Sequence, residues 1–488
     1  NSYLPNKIKV LDSRNGQVIR TITLPFEYLI FTGTAVIGDV YNDGNPVIIV
    51  SKDISSSQSG VQLVCLDFDG NIKWESDVVP IKTNKYIQRG YNLGLADFNR
   101  DGIPELYLTN IILNARTGKK LIDGGSNGLG LSKYSGTPYL SISVAANVDD
   151  DDDLELVAGY SVYKVTITNT NDEAGNAMMP INIMVNGVYL DGCTSISDID
   201  LDGKLDIIVS VNSTEDDPNP VDLYCYTISN GIAKLLAKAD RKTYPPNDND
   251  RDVYVKSMAG TYYNRHKNRE DIFLVVNEGN SSNGAAYIVN YSYDGTLNLK
   301  KNWIYPIIFT GDLDTKAFSI FDLDNDGYPE LFVRLGYKFI IISTKNDIPK
   351  LLYDFPCHGI GFDSSIIGDF DNTGQAKICM SYVFFPPNNS NSSPSPNKLA
   401  VFGARAGQRW APARNIWHQY AYNPLFINDD GTVPKHMHNP ATYKNGKYNN
   451  FMAQESRIDE NGNYPLAVAS LTGEITCTSY DAATGQYS

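Results

Sequence analysis

A short acidic loop between two apolar segments recurs along this chain and constrains its fold more than any other feature. The loop has Asp or Asn at its first, third and fifth positions, Gly at its sixth and Asp or Glu at its ninth. Three copies keep the whole pattern, at residues 97–105, 198–206 and 322–330, and an apolar segment follows each of them. Regular recurrence of one unit predicts a repeat architecture and not a series of unrelated domains.

Four further copies are less regular. Residues 147–155 keep an oxygen-bearing side chain at every odd position but lack the glycine. Residues 39–47 and 369–377 each lack two of the oxygen side chains, and residues 261–271 keep only the flanking apolar segments. The seven copies begin at positions 39, 97, 147, 198, 261, 322 and 369. This spacing is typical of one four-stranded propeller blade per copy.

A second type of hairpin signal lies between the acidic loops. Residues 61–74, 287–299 and 399–410 each contain two β-type segments around a turn such as Asp69-Gly70. Two hairpins per repeat give four strands, so seven repeats predict an all-β fold, a seven-bladed β-propeller. Residues 8–22 form another hairpin before any acidic loop, which could complete the blade that begins last, although residues 399–410 compete for that place.

The spacing of the oxygen side chains in the loop points to calcium. Side chains at positions one, three, five and nine, with the backbone carbonyl at seven, can surround one hard cation that takes six to eight oxygens. Magnesium requires a stricter octahedron and retains its waters, so an all-protein loop favours Ca²⁺. The predicted ligands are Asp97, Asn99, Asp101, Ile103 and Glu105; Asn147, Asp149, Asp151, Asp153 and Glu155; Asp198, Asp200, Asp202, Lys204 and Asp206; and Asp322, Asp324, Asp326, Tyr328 and Glu330, with Ile103, Lys204 and Tyr328 acting through their carbonyls.

The two weaker acidic copies supply only candidate ligands, Asp39 and Asp43 in one and Asp369 and Asp371 in the other. Asp, Asn and Gly are ordinary turn formers, so these copies are better interpreted as metal-free turns. In the second of them, Lys377 can supply a positive charge from within the loop.

The pattern D-x-[DN]-x-D-G-x-x-[DE] followed by an apolar strand resembles the FG-GAP/VCBS repeat of integrin-α-like propellers. The resemblance covers residues 1–412 and rests on several copies at blade spacing. It implies a propeller whose loops bind calcium.

The sequence after residue 412 departs from the repeat. Residues 413–465 are expected to form an irregular extension packed on the propeller, and residues 414–434 resemble a segment that follows FG-GAP propellers in large Bacteroidota surface proteins linked to gliding motility and type IX secretion. Residues 466–488 resemble the start of an Ig-like adhesion domain that the chain does not complete. The resemblance implies an exported adhesin that acts outside the cell or at its surface.

Composition narrows the range of partners. The chain has 488 residues and a formal charge of −15, which argues against nucleic acid and anionic membrane as partners. No apolar stretch reaches the roughly 18 residues of a membrane span, so direct membrane insertion is not expected. The six Cys are far apart, and buried free thiols are preferred to disulfides.

The sequence shows no convergent catalytic set. None of the five His has the spacing of a metalloprotease or a catalytic triad, and His436 and His438 are better explained by an irregular loop than by a metal. We therefore expect a non-enzymatic adhesion module that presents loops to a surface glycan or protein, with gliding or type IX secretion components as further partners. The alternatives are a structural subunit of a secretion or motility machine and a carbohydrate-binding or carbohydrate-degrading propeller.

Overall fold

The computed structural model describes most of the chain, namely residues 7–24, 34–52, 60–80, 90–134, 137–212, 220–240, 253–255, 258–278, 285–308, 317–335, 338–356, 364–382, 398–458, 462–463, 480–481 and 486–487. These residues form antiparallel β-sheets, and the helical elements among them are two single 3₁₀ turns, Lys345–Asp347 and Pro424–Phe426. The predicted all-β class is confirmed. Within these ranges, none of the helical elements is long and apolar enough to span a membrane.

Four sheets follow one another in the first half of the chain, and in each of them the strands pair in chain order. The third strand of the first sheet, β5 (Gly60–Asp67), also pairs with a short strand, β7 (Val79–Pro80). Sheet 1 contains β3 (Val36–Gly38), β4 (Val47–Lys52), β5 (Gly60–Asp67) and β6 (Ile72–Glu75); sheet 2 contains β8 (Gly94–Ala96), β9 (Glu105–Leu108), β10 (Ile111–Asn114) and β11 (Lys120–Asp123); sheet 3 contains β14 (Val144–Ala146), β15 (Glu155–Ala158), β16 (Ser161–Thr166) and β17 (Ala177–Asn182); sheet 4 contains β18 (Cys193–Ser197), β19 (Asp206–Ser210), β20 (Val221–Ser229) and β21 (Ile232–Asp240).

Three more sheets repeat the arrangement in the second half. Sheet 5 contains β23 (Gly260–Asn264), β24 (Arg269–Glu278), β25 (Ala285–Ser292) and β26 (Lys300–Ile308), with β22 (Val253–Val255) on β24 and β34 (Asn450–Phe451) on β23; sheet 6 contains β27 (Ala317–Phe321), β28 (Glu330–Arg334), β29 (Lys338–Ser343) and β30 (Lys350–Pro356); sheet 7 contains β31 (Ile366–Gly368), β32 (Lys377–Tyr382) and β33 (Lys398–Phe402). Two-stranded elements are β1 (Lys7–Leu11) with β2 (Val18–Thr23), β12 (Leu131–Tyr134) with β13 (Thr137–Ser141), and β35 (Tyr480–Asp481) with β36 (Gln486–Tyr487).

Each repeated loop of the sequence occupies the same place in its sheet, between the first and the second strand. The second strand is a nearly continuous apolar run, such as Leu331 to Val333, and it is buried on both sides. A strand buried on both faces needs apolar residues at every position, which explains why these segments lack the polar alternation of a one-sided sheet.

The core is a series of layers between successive sheets and not one central cluster. Sheets 1 and 2 bury Ile49, Leu63 and Leu106 between them, and equivalent apolar layers join each sheet to the next as far as sheets 6 and 7. Full burial of each such side chain contributes about 1.5–3 kcal/mol. Every sheet therefore depends on its neighbours for stability.

The predicted hairpins are found in part. Strands β5 and β6 form as predicted around Asp69-Gly70. Strand β25 forms the first half of the hairpin predicted over residues 287–299, but its partner β26 begins at Lys300, just beyond that range. The hairpin predicted over residues 399–410 is wrong in its second half, because only β33 forms and residues 403–410 contain no strand. The N-terminal hairpin pairs with itself as β1 and β2 and packs on sheet 1, where Ile22 and Leu24 cover Val50 and Val64.

Residues 411–458, the C-terminal segment, lie along the first strands of several sheets. The Ile37 amide donates to the His418 carbonyl at 3.0 Å, and the Asp369 amide donates to the Arg414 carbonyl at 2.9 Å. Strand β34 within this segment pairs with β23 of sheet 5, and the Ile320 amide of sheet 6 donates to the Met452 carbonyl. One irregular segment thus contacts both the first and the last sheets.

Some predictions fall largely outside the described residues. Of residues 466–488, only the pair β35 and β36 is described. Cys65, Cys193, Cys225 and Cys379 are free thiols, whereas Cys357 and Cys477 lie outside the described ranges.

Candidate metal centres

The first Asp of the repeated loop organises the turn by accepting two backbone hydrogen bonds. One oxygen accepts from the amide of the fifth residue and the other from the amide of the sixth. For Asp97 the distances to the Asp101 and Gly102 amides are 3.1 and 2.8 Å, and for Asp322 the distances to Asp326 and Gly327 are 3.0 and 2.8 Å. Asp198, Asp39 and Asp369 make the same pair of contacts. The loop is therefore a preformed turn in all five copies, including the two weaker ones.

These five loops also share a backbone feature that the sequence pattern did not reveal. The fourth residue is left-handed, with φ between 52° and 60°, and the glycine at the sixth position is left-handed too. Left-handed φ is common for Asn but unusual for Leu201 and Arg100, which occupy this position in two complete loops. The signal was present only as Asn at the fourth position of the other three copies.

The ninth residue brings a buried carboxylate back to the start of the loop. Oε2 of Glu105 accepts from the Phe98 amide at 2.9 Å, and Oε2 of Glu330 accepts from the Leu323 amide at 2.9 Å. Asp206 and Glu155 make the equivalent bond at 3.0 Å. All four side chains are at most 4% exposed. Each copy with an acid at the ninth position therefore places one carboxylate in the interior.

Three groups of carboxylates converge closely enough to hold a metal ion. Their members each offer an oxygen, and the three oxygens of a group lie within 4.8 Å of one another. The groups are Asp149, Asp151 and Glu155; Asp198, Asp200 and Asp206; and Asp322, Asp324 and Glu330. Oxygen-only sets of this kind suit a hard cation such as calcium.

The loop at residues 97–105 offers a different indication of a cation site. The third residue of this loop is Asn99, whose side chain is a neutral amide. The buried Oε1 of Glu105 has no hydrogen-bond partner among the described residues. An unpartnered buried carboxylate oxygen is costly unless a cation or a proton compensates it. The residues of this loop therefore also fit a metal ion.

Burial makes these carboxylates hold protons when no cation is present. Desolvation raises the pKa of Glu330 to about 9, that of Glu155 to about 8 and that of Asp322 to about 7. Desolvation also raises the pKa of Glu105 well above its usual value, and the neighbouring Asp97 and Asp101 raise it further. A divalent cation in the loop would replace these protons.

The loop at residues 147–155 contains a cation of its own. The amine of Lys164 lies 2.7 Å from an oxygen of Asp149 and 2.9 Å from an oxygen of Asp151. Lys164 pairs across the sheet with Glu155, whereas the corresponding partners in sheets 2 and 6 are the neutral residues Asn114 and Ser343. Comparison of the repeats at this cross-strand position would have revealed the lysine.

The other predicted ligands of this loop lie away from its three carboxylates. The Asn147 amide nitrogen donates to the Asp151 carbonyl at 2.6 Å, and Asp153 is exposed and pairs with Arg100 of the neighbouring loop at 3.2 Å. Asp150 and Asp152, the fourth and sixth residues of this loop, do not have a left-handed φ, so the backbone of this loop differs from that of the other copies.

The fifth and seventh positions of the complete loops interact with each other. Asp101, Asp202 and Asp326 each accept a hydrogen bond from the amide two residues later, at Ile103, Lys204 and Tyr328, with distances of 2.7 to 3.0 Å. The side chain of Lys204 reaches Asp150 of the neighbouring loop, and Tyr328 stacks on His266. Asp326 also pairs with Lys345 at 2.6 Å, at the exposed end of its loop.

Lysine also enters one of the weaker copies. The Lys377 amine lies 3.3 Å from Asp371 and donates to Thr373 at 3.0 Å. In the copy that begins at Asp39, Asp43 accepts from the Asn45 amide, and the ninth residue is Val47. Neither copy assembles three carboxylates within its described residues.

Comparison with known proteins shows a shared fold and no family. No family model matches the chain, and no curated protein sequence matches it. The biofilm matrix protein Bap1 of V. cholerae matches 93% of this chain and 90% of its own chain, with 14% identity and a TM-score of 0.53. A rhamnogalacturonan lyase of Bacillus licheniformis matches 78% of this chain and 58% of its own, with 17% identity and a TM-score of 0.31, which is too low to support an argument. The likeness to Bap1 extends along nearly the whole chain and concerns the all-β fold.

Proposed function

We propose that this protein is a calcium-stabilised adhesion or interaction module that acts outside the cell. In this proposal sheets 1 to 7 are the blades of an FG-GAP/VCBS-type propeller over residues 1–412, residues 413–465 are its extension, and residues 466–488 begin an Ig-like domain. Support comes from the strand order, which is the same in successive sheets, and from the apolar layers that join each sheet to the next.

The calcium assignment rests on the convergence of two buried carboxylates and one exposed carboxylate in each of the loops at residues 198–206 and 322–330, and on the unpartnered buried oxygen of Glu105 in the loop at residues 97–105. We assign Ca²⁺ to the three complete loops, at residues 97–105, 198–206 and 322–330. When bound, the ion would supply two positive charges to the buried carboxylates of the loop, which hold protons in its absence. In the loop at residues 147–155, the Lys164 amine competes for the same oxygens, so we expect weaker calcium binding there or none.

The adhesion assignment rests on the fold that this chain shares with a biofilm matrix protein. Bap1 is a biofilm matrix protein, and its fold covers nearly the whole of this chain. Sheets whose loops are held in place by bound metal ions form a rigid scaffold. Such a scaffold can position other loops to bind a surface glycan or a protein. A role without catalysis, and a link to gliding or type IX secretion, remain predictions from the sequence.

Calcium binding can be tested on the full chain by calorimetry and thermal unfolding. Asp198→Asn should lose one bound calcium, whereas Asp369→Asn, at the same position of a weaker loop, should keep the wild-type number. Both variants lose equivalent backbone contacts, so their melting temperatures in chelator should fall by similar amounts. If calcium leaves the wild-type melting temperature unchanged, the metal assignment is wrong.

Adhesion can be tested separately by measuring retention of the full chain on glycan arrays and on bacterial surfaces. We expect retention in calcium and reduced retention in chelator, because the loops stabilise the sheets that present the binding surface. Equal absence of retention in both conditions would contradict the adhesion assignment and leave the metal assignment standing.

A further inference from the structure

A large cavity lies within the C-terminal segment, away from the acidic clusters. Its volume is about 720 Å³, which falls in the size range of sites for small organic ligands. Its walls include Arg414, Arg457, Lys444, His438 and Tyr443. The repeated loop pattern does not extend to this region, so nothing in the calcium assignment accounts for the cavity.

The charge of the cavity is opposite to that of the chain. The protein carries −15 overall, yet the cavity is lined by two arginines and two lysines, with Asp429 as the one acid among its lining residues. Asp429 lies 2.7 Å from Arg414 and 3.8 Å from Arg457, so one carboxylate is shared between two guanidinium groups. The cavity walls thus keep an excess of positive charge.

Two of these cationic side chains donate hydrogen bonds within the C-terminal segment, and the other two are exposed. Arg414 donates to the carbonyls of Pro424 and Ile427, and Lys447 donates to those of Ser456 and Ile458. The side chains of Arg457 and Lys444, in contrast, are exposed. Arg457 and Lys444 are therefore the cations best placed to meet an incoming anion.

Aromatic rings lie beside these cations. His438 stacks on Tyr443 with ring centroids 4.0 Å apart, and Tyr448 follows at 5.7 Å from Tyr443. The Lys444 amine lies 5.4 Å from the centre of the Tyr443 ring. Flat ring faces next to a cation suit a ligand that has both an apolar face and a negative group, as an acidic pyranose does. A simple inorganic anion would use the charges and leave the rings unused.

The cavity also continues towards the sheets. A second cavity of about 460 Å³ shares His436 and His438 with the first, and its walls also include the cations Lys435 and Arg100 and the acid Asp152. Two adjoining cavities with cations along both can accommodate a chain of linked units better than a single small molecule.

We propose that this pair of cavities binds a segment of a carboxylate-bearing polysaccharide, with Arg457 and Lys444 contacting its uronate groups and the stacked pair of His438 and Tyr443 contacting a sugar face. This inference rests on the proposed surface-binding function and names its ligand class. Arg457, Lys444 and Tyr443 lie outside the acidic loops, whereas the second cavity also includes Arg100 and Asn147 from two of those loops. The ligand test therefore uses variants of the first cavity, so that the two proposals can fail independently.

The test is calorimetric titration of the full chain with tetragalacturonate in excess calcium. Arg457→Gln should weaken binding about tenfold, which is typical of losing one charge-assisted contact, and Lys444→Gln should weaken it by a smaller factor. Arg405→Gln, which removes an exposed arginine after sheet 7, should leave the affinity unchanged. Calcium-dependent melting of all three variants should match that of the wild type, which shows that the fold is intact.

Comparing the free acid with its methyl ester separates the contribution of the carboxylate charge from that of the sugar rings. Methyl-esterified tetragalacturonate should bind at least about tenfold more weakly than the free acid, because its carboxylates are neutral. Equal binding of the two forms, or equal weakening by Arg405→Gln, would overturn the proposal. Absence of binding to tetragalacturonate and to sulfated heparin oligosaccharides alike would also overturn it. Tighter binding of inorganic phosphate or RNA than of either saccharide would reject the ligand class.

Discussion

Replacing Glu330 with glutamine should change stability in opposite directions with and without calcium. Glu330 is 4% exposed, and its Oε2 accepts from the Leu323 amide at 2.9 Å. One of its oxygens lies within 4.8 Å of oxygens of Asp322 and Asp324. The residue is therefore a favourable ligand when a cation is present and an unfavourable buried charge when it is absent.

The magnitude without calcium follows from proton binding. Burial raises the pKa of Glu330 from 4.5 to about 9. The folded protein therefore holds a proton that the unfolded chain releases, so this carboxyl lowers the free energy of unfolding as pH rises from about 4.5 to about 9. At about pH 7.5 the loss is at most about 4 kcal/mol, and relaxation and water entry reduce it. Glutamine is neutral and can still accept from Leu323, so we expect Glu330→Gln to gain about 1–2 kcal/mol in chelator.

The effect in calcium has the opposite sign. The variant loses one carboxylate ligand, and a hundredfold weaker affinity would remove about 2.7 kcal/mol of the stabilisation by saturating calcium. After the gain of about 1–2 kcal/mol without calcium, the free energy of unfolding in saturating calcium should fall by about 0.7–1.7 kcal/mol. Chemical denaturation of the full chain in excess calcium and in chelator measures both values. Glu75→Gln is a matched control, because Glu75 pairs with Lys52 at 3.0 Å outside any loop and should give similar changes in both conditions. Destabilisation by Glu330→Gln in chelator as well as in calcium would refute the reasoning.

Three further predictions concern the loops and the C-terminal segment. In chelator, the free energy of unfolding should fall as pH rises from about 5 to about 8, because Glu155 and Asp322 hold protons in the folded state that the unfolded chain releases, and saturating calcium should remove the contribution of Asp322 but not that of Glu155; denaturation at several pH values checks it, and a rise in chelator would contradict it. Lys164→Met removes the amine from the carboxylates of the 147–155 loop and should add one calcium site in calorimetry; an unchanged number would show that lysine does not exclude the ion. Asn449→Ala should lower the free energy of unfolding by about 2–4 kcal/mol, because its buried amide makes four hydrogen bonds to sheets 4 and 5, and a loss below about 1 kcal/mol would show that water replaces them.

The sequence predicted the repeated unit well because the unit is encoded locally. An apolar strand, an acidic turn and a second apolar strand are each specified by a few adjacent residues, and they appear as β8, the loop at residues 97–105 and β9. The convergence of the three carboxylates in the loop at residues 198–206 also follows from local spacing, since the ninth residue returns to the amide of the second.

Features that depend on contacts between residues far apart in the sequence were harder to predict. Lys164 enters the 147–155 loop because strand pairing places it opposite Glu155, and the loop sequence alone does not contain this information. The cationic cavity has a similar cause, since it depends on where the irregular C-terminal segment lies. The positive charge of the cavity could not be predicted from the sequence, because it arises where Arg414, Arg457 and Lys444 lie together in the fold.

The position of the C-terminal segment has a consequence for biogenesis. In an ordinary repeat array each unit contacts only its neighbours, so units can fold one after another as the chain emerges. Here β3 forms a hydrogen bond with His418, which is synthesised after all seven sheets. Such long sequence separations slow folding. Until residues 411–458 have been made, the first strand of sheet 1 lacks this backbone partner, so sheet 1 completes its native hydrogen bonds only after the other six sheets have been synthesised.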